Sequence, residues 1–183
     1  MYDEQEVDLK THKYVMYLRK STEDEGRQIR SIGDQEKDCK DLVKRLGLNV
    51  IDTIREEKSA KKPGHRPAFL DMLKRIRRKE FDAIIAWHPD RLSRNSIESS
   101  KILHMLDTDV IKDIRFVSHQ FSTDANGKML LGMLFVFSKH YSDDLSSKVK
   151  RGVRGNLCDY KSGGTPKHGY IRDNEGIYRI DGK

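Results

Sequence analysis

The sequence predicts an α/β domain: a mainly parallel sheet of four to five strands flanked by helices, followed by one long helix. Three observations carry this. Short apolar segments alternate with amphipathic ones, the pattern of a parallel sheet with crossover helices. One segment, Phe81–Trp87, is almost continuously apolar, as a central strand buried on both faces must be. Beyond residue 126 the pattern changes to a single helical stripe.

Residues 1–12 are polar and aperiodic and read as an arm. Lys13–Leu18 is the first strand. Ser31, with Asp34 three residues on, opens a helix in capping-box fashion. Ile32, Leu42, Val43 and Leu46 give that helix its inner face, and Gly47 ends it. Val50–Ile54 is the second strand. Pro67 suits the first turn of the next helix, whose stripe is Leu70, Leu73 and Ile76. After the strand at Phe81–Trp87, His88–Asn95 reads as a polar loop. Ser96 caps a helix to Leu106, and Ile114–Val117 is the fourth strand. The α/β domain is thus expected over residues 13–126.

From Gly127 to about residue 155, Leu130, Leu134, Phe137, Tyr141, Leu145, Val149 and Val153 recur at steps of three and four. They make one stripe on a long helix. Its first half is apolar nearly all round, so it is expected to pack against both the sheet domain and a partner. The exposed stripe of its second half needs another surface to cover it. Residues 156–183 read as a linker and then two short strands, Tyr170-Ile171-Arg172 and Ile177–Ile180. Such a pair cannot bury a core alone. A new domain is expected to begin there, and DNA binding by these 183 residues alone is expected to be weak.

Composition narrows the function. Hydrophobic and charged residues each make up 36% of the chain, and the net charge is +7. A basic balance of this size suits a polyanionic partner. The excess lies towards the end: residues 148–183 carry nine Lys or Arg against four Asp or Glu. The two cysteines, Cys39 and Cys158, stand far apart. They supply neither a disulfide framework nor a Cys-based zinc site. No apolar run approaches the ~20 residues needed to span a bilayer, so a cytoplasmic protein with no membrane partner is expected.

The chemistry gathers at the loop end of the sheet. Along a strand, residues two apart share a face, so Tyr17 and Arg19 look the same way and Ser21 follows on that line. A strand-end hydroxyl beside a guanidinium is a candidate nucleophile for a phosphate. Arg66, Arg91 and Arg94 fall in loops at the same end, with Gln35 nearby and Asp90 beside Arg91. Clustered guanidiniums repel unless an anion sits among them. A phosphoryl-transfer transition state, rich in negative charge, is such an anion. Asp90 is either an orienting carboxylate or a proton-transfer group. There is no Gly-x-x-x-x-Gly-Lys-[Ser/Thr] loop for a nucleotide. Asp90 is the single carboxylate placed in the site loops, too few for a two-metal centre. No metal or cofactor is expected. The seven histidines, His65 and His88 included, read as bystanders.

Tyr17-Leu18-Arg19-Lys20-Ser21, then Ser31-Ile32-Gly33-Asp34-Gln35, then Ser59 through Arg66, then Asp90-Arg91-Leu92-Ser93-Arg94 form an ordered set. It resembles the catalytic domain of serine site-specific recombinases: resolvases, invertases and, most nearly, phage integrases of the large serine type. The resemblance covers about residues 13–155. It implies that the long helix, residues 127–155, is a dimer interface. It implies too that Ser21 attacks a phosphodiester of double-stranded DNA at an att-type site, becoming linked to a 5′ phosphate and freeing a 3′ hydroxyl. Subunits would then exchange strands in a synaptic tetramer and religate, for integration or excision. By motif match Arg19, Arg66, Arg91 and Arg94 bind and activate the phosphate, with Arg91 and Asp90 candidates for protonating the leaving group. Gln35 and Tyr17 orient the site, and Ser59 supports it. Gly164–Tyr170 looks like the opening of a DNA-binding recombinase domain. The chain departs from the family at Tyr141-Ser142, where Glu-Arg is common, and at Lys167-His168, where Pro-Tyr is common. The same fold with the chemistry silent, a DNA-binding or dimerisation module, is the alternative. Changing any one of Arg19, Arg66, Arg91 and Arg94 to Ala is expected to lower cleavage by orders of magnitude with little effect on folding.

Overall fold

The computed structural model describes residues 9–20, 32–58, 60, 63–158 and 168–180. In chain order the elements are β1 (Lys13–Arg19), α1 (Ile32–Leu46), β2 (Asn49–Glu56), α2 (Pro67–Arg77), β3 (Ala83–Ala86), α3 (Pro89–Leu92), α4 (Ser96–Asp107), β4 (Asp113–Phe116), α5 (Ala125–Cys158), β5 (Tyr170–Arg172) and β6 (Tyr178–Ile180). The chain divides into two compact units, Met1–Lys139 and His140–Lys183.

The first unit is built on a four-stranded sheet in the order β2-β1-β3-β4, with every pairing parallel. The alternation of strands and helices demands this, because parallel neighbours need a crossover between them. From β1 the chain steps outward to β2, then crosses back to β3 on the other side of β1. That reversal opens a crevice at the carboxyl ends of β1 and β3, where open parallel sheets hold their ligands.

Each face of β1 has its own core. Tyr14, Met16 and Leu18 pack with Cys39 and Leu42 of α1. Val15 and Tyr17 pack with Phe69, Met72 and Ile76 of α2 and Ile102 and Met105 of α4. Strand β3 is buried at all four positions, as its unbroken apolar run requires. It is shorter than Phe81–Trp87, although the Asp82 N–H still donates to the Lys13 carbonyl at 3.0 Å and the Asp82 carbonyl accepts the Lys112 N–H at 2.7 Å. The Asp82 carboxylate accepts the Lys13 N–H at 2.8 Å.

The inner face of α1 holds the expected Ile32, Leu42, Val43 and Leu46, all packed in or against one core cluster, joined by the buried Gln35 and Cys39. Two further expectations are corrected. The segment His88–Asn95 is not all loop, since it holds α3, one turn that is too short to show periodicity. Helix α4 is capped by Asn95 rather than Ser96: the Asn95 side-chain oxygen accepts the Glu98 N–H at 2.9 Å, leaving Ser96 as the first helical residue. The capping role expected of Ser31 lies outside the described residues.

Helix α5 begins with a cap of its own. The Asp124 carboxylate accepts the Gly127 N–H at 2.9 Å and a hydrogen bond from the Ser122 hydroxyl. A Cβ at Gly127 would overlap the Ser122 carbonyl oxygen, so only glycine fits this turn. Leu131 and Phe135 carry the helix into the core. They lie one position from the expected stripe, because a segment apolar on all sides does not reveal which face is buried. Leu130, Phe137 and, in the second unit, Tyr141, Val149 and Val153 remain exposed. The second unit also holds the antiparallel β5–β6 hairpin. Its turn is fixed by the Asp173 carboxylate, which accepts the Glu175 and Ile177 N–H groups at 3.1 and 2.9 Å.

Phe135 is 2% exposed and Phe137 65%. In urea unfolding of the dilute chain, Phe135→Ala is expected to cost about 3–5 kcal/mol, whereas Phe137→Ala stays within about 0.5 kcal/mol.

Candidate active site

The crevice between β1 and β3 is filled by guanidinium groups that meet on one turn. Arg19, the last residue of β1, is fully buried and donates to three main-chain carbonyls. Its Nε reaches the Arg91 oxygen at 3.1 Å, one terminal nitrogen the Asp90 oxygen at 3.1 Å, and the other the Lys20 oxygen at 2.9 Å. Arg66, the residue that precedes α2, also points one nitrogen at the Arg91 oxygen, at 3.5 Å, and at the Tyr17 hydroxyl at 3.1 Å. Two arginines remote in sequence are thus gathered by the backbone of α3. The turn can do this because its last carbonyls have no partner within so short a helix.

Arg94 is one helical step beyond Asp90 and donates to its carboxylate at 2.8 Å. Arg91 lies 3.7 Å from the same oxygen, with its guanidinium 5.8 Å from the centre of the Trp87 ring. Among the described residues, its Nε and one terminal nitrogen are buried with no hydrogen-bond partner. Donors left open at such a place suit an incoming anionic acceptor. Gln35, buried on α1, approaches from the opposite face of the sheet and donates to the Arg19 carbonyl at 3.3 Å.

The electrostatics follow from this crowding. Burial first, then the neighbouring charges of Arg94 and Arg91, bring the Arg19 pKa down to about 9. Burial pushes the Tyr17 phenol up to about 12. Burial would also raise the Asp90 carboxyl, but the His88 hydrogen bond and the Arg91 and Arg94 charges outweigh it and hold it well below the usual carboxylate range.

Of the expected site residues, Tyr17, Arg19, Gln35, Arg66, Asp90, Arg91 and Arg94 come together at this one end of the sheet. Ser21 and Ser59 lie outside the described residues. Three partners were not foreseen. Glu98 of α4 is buried, and one of its oxygens accepts from Arg66 and from Asn95, each at 2.5 Å. Its other oxygen accepts the Gly64 N–H at 3.2 Å. Glu56 ends β2 and accepts the Ala68 N–H of α2 at 3.1 Å. His88 caps α3 and touches Asp90. A carboxylate one helical turn beyond Arg94 was a visible signal for Glu98, but its partner is 32 residues away and local spacing does not reveal it.

Arg66 also corrects the expectation about folding. It is fully buried, stacked 3.7 Å above the Phe69 ring, and paired with an equally buried acid. It cannot be removed without leaving Glu98 charged in the core.

The chain matches the family model "Resolvase, N terminal domain" over residues 14–158. It has no match among curated protein sequences. Among solved structures, it is similar to the N-terminal catalytic domain of TP901-1 integrase, at 24% identity and a TM-score of 0.52, over 72% of this chain and 97% of that one. It is similar also to the C-terminal catalytic domain of ISC1926 TnpA, an IS607-like serine recombinase. There the identity is 18% and the TM-score 0.50, over 77% and 98% of the two chains. Fold and site together define an α/β catalytic-type domain with an arginine-lined crevice. The chain belongs to the resolvase N-terminal domain family.

Two measurements test the site's energetics. Arg66→Ala and Glu98→Ala are each expected to lower unfolding free energy by about 3–5 kcal/mol, since each strands a buried charge. A paired Arg66→Met/Glu98→Leu change should cost less than the sum of the two. Because the Asp90 pKa is lowered on folding, its contribution is fully present above about pH 4 and is lost as pH falls below that. Asp90→Asn should therefore flatten the acid limb of the stability–pH curve.

Proposed function

We propose that this chain is the DNA-cleaving and rejoining part of a site-specific serine recombinase of the large, phage-integrase type. The observation that carries this reading is the convergence of Arg19, Arg66, Arg91 and Arg94 on α3 and Asp90, with Ser21 two residues along the chain from Arg19. The Ser21 hydroxyl oxygen forms a bond to a DNA phosphorus, and the bond from that phosphorus to the 3′ oxygen breaks. The serine loses its proton, the departing 3′ oxygen gains one, and the 5′ phosphate stays on the protein. The reverse attack by a 3′ hydroxyl on the phosphoserine reseals the strand. The ester is exchanged rather than hydrolysed, so no nucleotide is consumed.

Each residue has a part in this. The two buried, unsatisfied nitrogens of Arg91, together with the Arg94 guanidinium, meet the phosphate oxygens, where charge grows in the transition state. Arg19 and Arg66 hold positive potential behind them. Asp90 stays ionised and orients Arg91 and Arg94, and Arg91 passes a proton to the leaving oxygen. Tyr17 and Gln35 fix Arg66 and Arg19 in place, and Ser59 supports the loop before Arg66. Tyr17 is a poor nucleophile here, since its phenol is fully buried and its pKa is raised to about 12. Self-association runs through the exposed apolar face of α5, as a dimer and then a synaptic tetramer on paired att-type DNA sites. Residues 156–183 lead into a DNA-binding domain. Cytoplasmic work on a bacterial or phage genome suits such a chain, and none of its described helices is long and apolar enough to cross a membrane.

The test is a covalent one. Incubation with a pool of nicked duplexes should give a protein–DNA adduct on a denaturing gel, with mass spectrometry placing the nucleotide on Ser21. Ser21→Ala should abolish it and Tyr17→Phe retain it; an adduct that survives Ser21→Ala overturns the assignment. Arg91→Ala and Arg94→Ala should unfold at nearly unchanged urea concentrations yet form adduct about 100-fold more slowly or worse.

A further inference from the structure

His88 is the described side chain next to this cluster that the proposed reaction leaves unused. It ends the segment after β3, has an extended backbone and caps α3. One ring nitrogen, Nδ1, lies 3.1 Å from the Asp90 main-chain nitrogen and 2.9 Å from the Asp90 Oδ1. That atom therefore faces a donor and an acceptor belonging to the same residue, and it cannot satisfy both at once. Without a proton, Nδ1 accepts the Asp90 N–H and caps the helix. With a proton, it donates to the carboxylate and leaves the cap.

Asp90 passes the choice on. Its Oδ2 holds Arg94 at 2.8 Å and lies 3.7 Å from Arg91. We propose that His88 is a positioning residue whose protonation sets how tightly Asp90 holds Arg91 and Arg94, and so how free these arginines are for a DNA phosphate. The proposal rests on the recombinase reading above for its catalytic consequence, though not for the switch itself. An imidazolium at Oδ1 shares the carboxylate's charge and weakens its claim on both guanidiniums. The neutral ring returns that claim in full.

The groups that face His88 come from three places. Asp90, Arg91 and Arg94 belong to α3 and the residues just after it. Trp87 lies 6.0 Å away, ring to ring, and donates to Asp38 of α1 at 3.0 Å. His119, in the segment after β4, sets its ring edge-on at 4.9 Å, with its Nδ1 2.8 Å from the Ser118 hydroxyl. Two imidazoles this close disfavour a shared charge. Burial, then the charge of His88, lowers the His119 pKa. Of the two rings, His88 is the one that touches the Asp90 carboxylate.

His88→Asn separates the two roles, because asparagine caps a helix well but does not titrate; His88→Ser is a second cap of the same kind. In the free chain, the Asp90 amide resonance of the wild type should move with pH as the ring gains its proton, and in both variants it should stay flat across the same range. A flat Asp90 amide in the wild type overturns the switch. In the adduct assay, the ratio of wild-type to His88→Asn rates should be roughly ten- to 100-fold at the acid end, the worth of one charge-assisted hydrogen bond, and fall to near one at the alkaline end. A ratio that does not change with pH overturns the catalytic link. No wild-type adduct at any pH would instead sink the recombinase reading, and the amide titration would still decide the switch.

Discussion

The main-chain carbonyls of Asp90 and Arg91 hold this structure's chemistry in place. They accept from the guanidiniums of Arg19 and Arg66, which otherwise have no reason to meet. A carbonyl satisfies a donor without cancelling its charge. An arginine held by carboxylates is neutralised by its own support; one held by backbone oxygens is fixed and still fully cationic. Burial then makes that charge costly, as the lowered Arg19 pKa records. The cost is relieved when an anion arrives.

The acids around the crevice follow the same logic by being few and assigned. Glu98 takes Arg66 and anchors Gly64, so it ties α4 to the segment ahead of α2. Glu56 accepts from the first turn of α2 and so fixes where that helix starts, directly beside Arg66. Asp90 faces the pair Arg91 and Arg94. Positive charge is thereby graded across the site. Among the described residues, Arg66 is paired with a carboxylate, Arg19 donates to main-chain carbonyls, and Arg91 keeps two buried nitrogens with no hydrogen-bond acceptor.

Much of this was legible in the sequence, for identifiable reasons. Period-two and continuous apolar runs located β1 to β4, and their alternation with amphipathic segments required parallel pairing. The shared face of Tyr17 and Arg19 followed from strand geometry alone. What escaped was whatever has no period or depends on distant contacts. Helix α3 is a single turn. The choice of Asn95 over Ser96 as cap depends on which side chain reaches Glu98. The buried face of α5 was hidden by apolar residues on every side. Arg66 was taken as a ligand-facing charge, because nothing near it in sequence announces Glu98 or the Phe69 ring beneath it.

Support by backbone oxygens has a consequence for how this crevice tolerates change over generations. Replacing the side chain of residue 90 or 91 does not delete a carbonyl, so the scaffold beneath Arg19 survives losses that silence the chemistry above it. A lineage could drift into an inactive DNA-bound form and return by single substitutions, with the architecture waiting intact. The vulnerable feature is instead the path of the chain through Pro89–Leu92, where an inserted residue would turn both oxygens away together.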